Sequence, residues 1–295
     1  MPGRPVAGIV LVVPAVQKSS GIWPKHARQW HRVGQPLRPS ADDITHLGEG
    51  VRAWCARHGG DAPRVLLLGV TPELAGMAWP SGTELVALDR ASDMIAAVWP
   101  GDTAWRRALC ADWFRAPFAS ASFDLVVGDG ALNMLPSIGA YPDAIAALAA
   151  HLAPEGRALL RLFVRPQRTE HVADVFAALQ SGAIDNFHIL KWRLAMAVHG
   201  TSVDGVALAD IWCAWQRAVA DPAALAARHG WAVETVQTID AYRDQATRYT
   251  FPTLTELRAL LDTAFFEEDC HVPDYAMGER CPRFALRARR APELP

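Results

Sequence analysis

The chain has 295 residues, 51% of them hydrophobic, and its 29 basic and 31 acidic residues give a formal net charge of -2. This length and composition allow a full core in one large domain, or in one domain with an insertion. No block of like charge favours nucleic acid or a membrane, so a small molecule is the expected partner and the oligomeric state stays open. Five scattered cysteines without a C-x-x-C pair favour a reducing, cytoplasmic location.

The first predicted element is the apolar run VAGIVLVVPAV at residues 6–16. Its length suits the core of a signal peptide, but it is too short to span a membrane and Pro14 interrupts it. No small-x-small cleavage site follows. The run is interpreted as an extra strand or apolar arm within an N-terminal arm at 1–39, with a secretory signal as the alternative.

A capped helix and a series of buried strands follow this arm. The segment from Ser40 opens with an S-x-x-D capping signal and ends at Gly59-Gly60, which predicts a helix. Apolar runs at 64–70, 84–89, 123–129 and 157–164 are typical of parallel strands buried on both faces. Helical segments lie between them, including one that Gly156 is expected to close. The alternation predicts a doubly wound α/β sheet that binds its ligand at one edge.

Polar residues follow the predicted strands at this edge. Gly69 ends the first strand, and Thr71-Pro72 can start a helix whose free N–H groups point toward the space above Gly69. Asp89 ends the second strand about 20 residues later, where a carboxylate accepts hydrogen bonds from ribose hydroxyls in nucleotide-binding folds. Asp112 follows the third strand, where it could accept a hydrogen bond from an adenine amine.

These stretches resemble the class I S-adenosylmethionine-dependent methyltransferases. The resemblance rests on VLLLGVTPEL, VALDRASDMI, ALCADWFRAPFASASFDLVV and GDGALNML, and it resumes in AFFEEDCHVPDYAMGERCPRFALRAR. It implies a Rossmann-like, mostly parallel seven-stranded sheet whose last strand is antiparallel. It also implies S-adenosylmethionine as the cofactor, S-adenosylhomocysteine as its product, and an enzyme that transfers a methyl group.

The glycine turn departs from the family pattern. Leu67 stands at the usual acidic position, and Thr71 and Glu73 replace further glycines, which puts the contacts to the methionine part in doubt. Thr71 would also crowd a pyrophosphate, which disfavours NAD. A non-catalytic scaffold that has lost the cofactor remains an alternative function, and an NAD-dependent oxidoreductase is a less favoured one.

The strand-end pattern and the resemblance together predict a set of cofactor-binding residues. Asp129 and Gly130 are expected to contribute backbone groups near the methionine moiety. Arg38, held between prolines, could bind the cofactor's carboxylate, with a surface arginine as the alternative. The full set is Gly69, Thr71, Asp89, Arg90, Met94, Asp112, Trp113, Asp129, Gly130 and Arg38.

Several of these residues have a structural alternative. Asp89 could cap the helix that begins near Ser92, and Asp112 could be a turn residue. Trp113 could stack on adenine or pack in the core, and Met94 could line the ribose and adenine pocket or be buried in its helix.

Residues 181–250 are predicted to insert a helical lid between a cofactor-binding core at 40–180 and a closing helix and hairpin at 251–295. The first lid helix carries His188, Trp192 and His199 on one face. This face is a candidate acceptor pocket in which either histidine would act as general base. The alternative is a lid core whose histidines are exposed or hydrogen-bonded.

The remaining candidates concern the acceptor and metals. Asn133, Trp192 and Tyr275 are candidate substrate contacts, with a cap as the alternative for Asn133. Cys270 beside His271 is not followed by partners at zinc-finger spacing, so no metal site is predicted. Direct displacement on a sulfonium needs alignment and exclusion of water, and a base only if the nucleophile must lose a proton. The tryptophans suggest an apolar or aromatic small-molecule acceptor.

Overall fold

The computed structural model describes residues 22–116 and 118–289, and the apolar run at 6–16 lies outside them. The strands are β1 (Arg64–Leu68), β2 (Glu84–Asp89), β3 (Arg106–Cys110), β4 (Phe123–Asp129), β5 (Leu152–Arg161), β6 (Val206–Ala207), β7 (Arg248–Tyr249), β8 (Phe265–His271) and β9 (Arg283–Ala288). The helices are α1 (Trp23–Gln29), α2 (Ala41–Arg57), α3 (Pro72–Ala75), α4 (Ser92–Val98), α5 (Tyr141–His151), α6 (Val172–Gln180), α7 (Phe187–His199), α8 (Leu208–Ala218), α9 (Pro222–His229), α10 (Val233–Val236) and α11 (Leu254–Leu261). Short 3-10 helices include Trp30–Arg32, Trp113–Arg115, Ala131–Met134 and Gln237–Tyr242.

Seven strands form one sheet in the order β3-β2-β1-β4-β5-β9-β8. Strands β1 to β5 are parallel, whereas β9 is antiparallel to β5 and to β8. The predicted mostly parallel seven-stranded sheet is therefore confirmed. The strand order reverses between β1 and β4, so the carboxyl ends of these strands flank the crevice in which such sheets bind ligands.

Two hydrophobic cores lie on opposite faces of the sheet because successive side chains of a strand point to opposite sides. In β1, Val65 and Leu67 pack into one core, and Leu66 and Leu68 into the other. Helix α2 covers the first of these cores, and Ser40 caps it in a capping box with Asp43. The predicted capping signal is therefore confirmed.

The end of α5 differs from the prediction. The helix stops at His151, and β5 begins at Leu152. Gly156 therefore lies inside the strand, next to a register shift between β4 and β5. A Cβ at Gly156 would approach Asp124 O to 2.9 Å, so this glycine permits a close approach of two backbones.

A third core lies in the chain between β5 and α11. Helices α7 and α8 and the 3-10 helix Gln237–Tyr242 pack around Trp215 and Phe187, and β6 pairs with β7. Helix α1 packs on α4 beside the sheet and also contacts Gln237–Tyr242. The N-terminal segment therefore bridges the sheet and the helical insertion.

Candidate active site

A cavity of about 590 Å³ opens at the carboxyl ends of β1, β2, β3 and β4. Predicted residues from the four strand ends and their neighbours line it: Gly69, Thr71, Asp89, Arg90, Met94, Asp112, Trp113, Asp129 and Gly130. We call this part of the cavity the strand-end region. The parallel sheet brings these residues together although they are spread over 62 positions from Gly69 to Gly130 in numbering.

The Asp89 carboxylate of this region accepts one hydrogen bond within the described residues. Its Oδ1 accepts a hydrogen bond from Ala91 N at 2.8 Å, and no hydrogen bond to its Oδ2 forms within residues 22–116 and 118–289. Burial raises the pKa of Asp89 to about 6, although the Ala91 N–H and Arg90 oppose this rise. Asp89 thus fixes the turn before α4 with one oxygen and keeps the other for a ligand.

Gly69 and Trp113 shape the floor of the strand-end region. Gly69 has a φ of +90°, and a Cβ there would lie 3.8 Å from Trp113 Cζ2 and 3.9 Å from Asp89 Oδ2. The Trp113 indole N–H donates to Leu88 O at 2.5 Å. The indole therefore lies across the glycine turn, beside the free Asp89 oxygen.

Asp112 and Met94 both line the cavity and also hold local structure. Asp112 accepts a hydrogen bond from Phe114 N at 2.9 Å, which starts the 3-10 helix Trp113–Arg115. Met94 is 4% exposed and packs in the core under α4. Both the turn interpretation of Asp112 and the core interpretation of Met94 thus describe part of what these residues do.

Asp129 is paired within the protein. Arg161 donates to Asp129 Oδ1 from Nε at 2.7 Å and to Oδ2 from Nη2 at 3.0 Å. Arg161 also donates to Pro36 O at 2.9 Å and lies 3.4 Å from Asp43. Burial raises the pKa of Asp129, and Arg161 opposes the rise. Because both carboxylate oxygens are engaged, the backbone beside Gly130 is the part of this segment available to a ligand.

Arg38 and Tyr275 belong to neighbouring contacts and do not line the cavity. Arg38 Nε donates to Glu73 Oε1 at 2.7 Å, and its guanidinium lies 5.3 Å from the centroid of a Trp30 ring. The Tyr275 hydroxyl donates to Asp43 at 3.0 Å and accepts from Arg161 at 3.3 Å. Arg38 therefore fastens the N-terminal segment to α3, and Tyr275 fastens the β8–β9 connection to α2.

Asn133 is buried and fully engaged. Its amide donates to Phe163 O at 2.7 Å and to Thr250 O at 2.9 Å, and its Oδ1 accepts from Phe163 N at 2.9 Å. The side chain thus ties the end of β5 to the segment after β7. These three hydrogen bonds give Asn133 a structural role.

The two histidines predicted as bases lie outside the cavity lining. His188 Nε2 is 3.0 Å from Arg32 O, so the neutral ring donates there and holds the N-terminal segment. His199 Nε2 accepts from Phe251 N at 3.2 Å, while Nδ1 lies 3.1 Å from Gly200 O. The pKa of each is lowered by burial. Packing of α7 against its neighbours turns both rings away from the cavity.

The other part of the cavity is an aromatic region. Trp192 from the predicted lid lines it, together with five residues that the sequence analysis did not single out: Trp23, His26, Trp30, Tyr242 and Tyr249. Trp23, His26 and Trp30 have the i, i+3, i+7 spacing of one helix face, which was the available signal. No comparable pattern marks the two tyrosines, which lie in a 3-10 helix and a two-residue strand.

Two further observations concern metals and membranes. Within the described part of the chain, no group of three or more His, Cys, Asp or Glu side chains is arranged to hold a metal ion. None of the helices in residues 22–116 and 118–289 combines the length and apolarity needed to cross a membrane.

Comparison with known proteins relates this architecture to solved structures alone, since no family profile and no curated protein sequence matches the chain. The CcbJ methyltransferase from Streptomyces caelestis superposes with a TM-score of 0.55 at 12% identity, covering 92% of this chain and 99% of that one. A Rhodobacter sphaeroides protein with a provisional name as a Zn-dependent alcohol dehydrogenase superposes with a TM-score of 0.57 at 15% identity, covering 92% and 100%.

A mostly parallel sheet of seven strands whose last strand is antiparallel is what the sequence resemblance implied. The chain has the fold of the class I S-adenosylmethionine-dependent methyltransferases. At these identities the likeness establishes the fold, and the two differently named neighbours show why chemistry must be argued from the site. In this chain the cavity has two chemically distinct regions, the strand-end region and the aromatic region.

Proposed function

We propose that this chain is a methyltransferase that binds S-adenosylmethionine in the strand-end region and a small-molecule acceptor in the aromatic region. The observation that carries the proposal is Asp89, whose Oδ2 has no hydrogen bond among the described residues and lies beside Gly69, at a cavity that continues to the aromatic residues. A buried carboxylate with a free oxygen suits the two hydroxyls of a ribose, which are hydrogen-bond donors.

The other strand-end residues would each contact a different part of the cofactor. Asp112 and Trp113 would contact the adenine, and Met94 would provide an apolar wall. Thr71 and Arg90 line the same region and would border the nucleoside. The backbone beside Asp129 and Gly130 would meet the methionine moiety, since the Asp129 carboxylate is held by Arg161.

When bound, S-adenosylmethionine supplies a methyl group on a positively charged sulfur. The protein would then contribute alignment of the acceptor with that methyl group and exclusion of water. Phe163 stands between the two regions, because a Cβ on Gly130 would lie 2.8 Å from its ring and the ring packs at 5.2 Å from Trp192. An apolar boundary at this position favours a dry reaction site.

Titration calorimetry with S-adenosylhomocysteine tests the proposal. We expect the wild-type protein to bind it and Asp89→Ala to bind it at least about tenfold more weakly, because each hydrogen bond to a charged group contributes about 1.5–3 kcal/mol. Asp124→Ala is the matched control, since Asp124 lies at the start of β4 and pairs with Arg64 outside the cavity.

The outcome also separates the alternative functions. Equal affinity in the wild type and Asp89→Ala, or no binding to the folded wild type, would contradict the proposal. Binding of NADH in place of S-adenosylhomocysteine would favour the oxidoreductase, and binding of neither would favour the scaffold. A small-molecule acceptor would be contradicted if methyl transfer occurred only to protein or nucleic acid.

A further inference from the structure

Three side chains that line the cavity have a buried ring nitrogen without a hydrogen-bond partner in the described part of the chain. They are His26 Nε2, Trp30 Nε1 and Trp192 Nε1. A buried polar group left unpaired costs about 1–3 kcal/mol, so a ligand in the cavity would gain free energy by bonding to these three nitrogens. An indole N–H only donates, so the partners of Trp30 and Trp192 must be acceptor atoms.

The aromatic region also has a buried cation at its back. Lys191 is 1% exposed, its Nζ bonds Thr238 Oγ1 at 3.2 Å, and it makes no ion pair in residues 22–116 and 118–289. Nζ lies 5.4 Å from the ring centroid of Tyr242, which lines the cavity. An amine in this position attracts an anion in the cavity, because a low-dielectric surrounding strengthens the interaction.

Among the titratable groups around the aromatic region described next, Lys191 is the one that can carry a positive charge near pH 7. Burial lowers the pKa of Lys191 to about 7. Burial first, and then Lys191, lower the pKa of His26 on α1 and of His188 on α7 to about 3, so both are neutral at pH 7. Tyr242 is neutral as well, since burial raises its pKa well above the usual value. An anion bound here would meet no nearby negative charge among these groups.

The wall of this region is a series of rings in edge-to-face contact. Trp192 lies 5.2 Å from Phe163 and 5.2 Å from Tyr249, and Tyr249 lies 6.0 Å from Tyr242, all between ring centroids. His26 continues the series at 5.9 Å from Tyr242. A wall of this kind favours a flat aromatic ligand, which can add further ring contacts.

We infer that the aromatic region binds a flat aromatic molecule that carries an acidic ring hydroxyl, and that it holds this molecule as the oxyanion. The Trp30 and Trp192 N–H groups would donate to its oxygens, and Lys191 would balance its charge. That this molecule is the methyl acceptor rests on the proposed function. That the aromatic region binds such a molecule does not depend on it.

Binding as the oxyanion would also make a general base unnecessary in the transfer step. The hydroxyl proton is released to water when the molecule binds. The acceptor oxygen then gives an electron pair to the new O–C bond, and the electron pair of the breaking C–S bond stays on sulfur, which becomes a neutral thioether. An aryl methyl ether and S-adenosylhomocysteine result, and no proton moves in the transfer step.

Two pairs of probes test the inference by binding alone. 4-Nitrophenol and 7-hydroxycoumarin change their absorbance on ionisation, whereas 4-nitroanisole and 7-methoxycoumarin are their non-ionisable ethers. Titrations are made with wild-type protein saturated with S-adenosylhomocysteine, and without it if it does not bind. We expect at least one hydroxyl probe to bind at least about tenfold tighter than its ether, with its ionisation midpoint lowered in the bound state, since an opposite charge favours the charged form.

Matched variants locate the effect. Lys191→Met keeps a long apolar side chain and should remove most of the preference for the hydroxyl probe, while ether binding changes less than about twofold. Lys25→Met is its control, since Lys25 lies on α1 but does not line the cavity. Trp192→Phe should weaken the hydroxyl probe about fivefold through loss of one hydrogen bond. Trp212→Phe is its control, because that indole already donates to Asp240 at 3.1 Å.

The inference is overturned if neither hydroxyl probe binds, if the ethers bind as tightly, or if the bound hydroxyl stays protonated. It is also overturned if Lys191→Met, folded as judged by its circular dichroism and melting temperature, keeps the full preference. The probes report binding and do not require methyl transfer. If S-adenosylhomocysteine failed to bind, the proposed function would be contradicted, and the probe titrations would still test the aromatic region by themselves.

Discussion

The two regions of the cavity are built from the chain in different ways. The strand-end region comes from turns that follow β1, β2, β3 and β4, and its carboxylates are partly satisfied by nearby groups, such as Ala91 N at Asp89 and Phe114 N at Asp112. The aromatic region joins α1 to residues more than two hundred positions later, and three of its ring nitrogens, His26 Nε2, Trp30 Nε1 and Trp192 Nε1, have no partner in the described residues. Nearby backbone N–H groups thus orient the carboxylates of the first region, whereas these three nitrogens of the second are held by no hydrogen bond within the described residues.

This difference separates what the fold provides from what this chain adds. Any parallel sheet of this order delivers its strand ends to one crevice. The shape and polarity of the aromatic region depend instead on how α1, α7 and the segment before β7 pack together.

The largest expected effect is on the network that joins the two regions. Arg161 is fully buried, holds both Asp129 oxygens and donates to Pro36 O in the segment after α1. Arg161→Met would leave the buried Asp129 carboxylate uncompensated and would leave Arg283 as the arginine paired with Asp43. We expect the free energy of unfolding, measured by urea titration, to fall by about 3–5 kcal/mol.

Arg258→Met is the control for this change, because its pair with Glu267 is largely solvent-exposed. It should lower the free energy of unfolding by no more than about 1 kcal/mol. A loss in Arg161→Met no larger than in this control would show that the buried network does not link the two regions.

The same network marks how far sequence reasoning reached. The strand ends were predictable, because buried apolar runs fix the strands and each ligand-edge residue lies within a few positions of its strand. Asp89, Asp112 and Gly69 were therefore found by local pattern. The hydrogen bonds from Arg161 to Asp129 could not be predicted in this way, because they depend on which side of β5 faces the end of β4.

The aromatic region was harder to predict for a physical reason. His188 and His199 share a helix face with Trp192, but a helix surface contacts several neighbours at once. Only Trp192 meets the cavity, while the two histidines bond to Arg32 O and Phe251 N. Helical periodicity identifies a shared face and leaves open what each residue on it will contact. Tyr242 and Tyr249 had no periodicity at all to mark them.

The next prediction concerns the boundary between the regions. Gly130 has a φ of +63°, and a Cβ there would lie 2.8 Å from Phe163 Cε2. Gly130→Ala should lower the free energy of unfolding by about 2–4 kcal/mol, as the sum of left-handed backbone strain and crowding of the ring. It should also weaken S-adenosylhomocysteine binding, because the displaced ring and backbone border the site.

Gly230→Ala separates the two contributions. Gly230 has a φ of +66° and nothing within 4 Å of the added Cβ, so it carries the backbone strain alone. Its loss should be about 1–2 kcal/mol, measured by the same denaturant titration. Equal losses in the two variants would show that Phe163 gives way freely and does not form a fixed boundary.

Replacement of Asp89 is expected to raise the free energy of unfolding, whereas the replacements above lower it. Its folded pKa of about 6 lies above the ordinary value of 3.8, so the folded protein favours the protonated form. The associated stability is present below about pH 4 and is lost as the pH rises through 6. Asp89→Asn should therefore raise the free energy of unfolding at pH 7 by up to about 3 kcal/mol, while it weakens S-adenosylhomocysteine binding.

The pH dependence provides the check. Melting curves of the wild type and Asp89→Asn should coincide near pH 4 and diverge toward pH 7, and wild-type affinity for S-adenosylhomocysteine should fall as the pH drops below 6. A variant less stable than the wild type at pH 7 would indicate that the free oxygen has a stabilising partner in the protein.

The smallest expected effect is at Arg38, where sequence and structure lead to different expectations. The sequence suggested that Arg38 binds the cofactor's carboxylate, whereas the structure has it on Glu73 and against Trp30, outside the cavity lining. Arg38→Met should therefore lower the free energy of unfolding by only about 0.5–1 kcal/mol, as expected for a partly exposed pair with a cation–π contact. Its affinity for S-adenosylhomocysteine, measured by calorimetry, should stay within about twofold, since no ligand contact is lost. Because Trp30 belongs to the aromatic region, loosening it should instead weaken the hydroxyl probes slightly. A tenfold or larger loss of S-adenosylhomocysteine affinity would mean that Arg38 leaves Glu73 when the cofactor binds, and that the N-terminal segment serves both regions of the cavity.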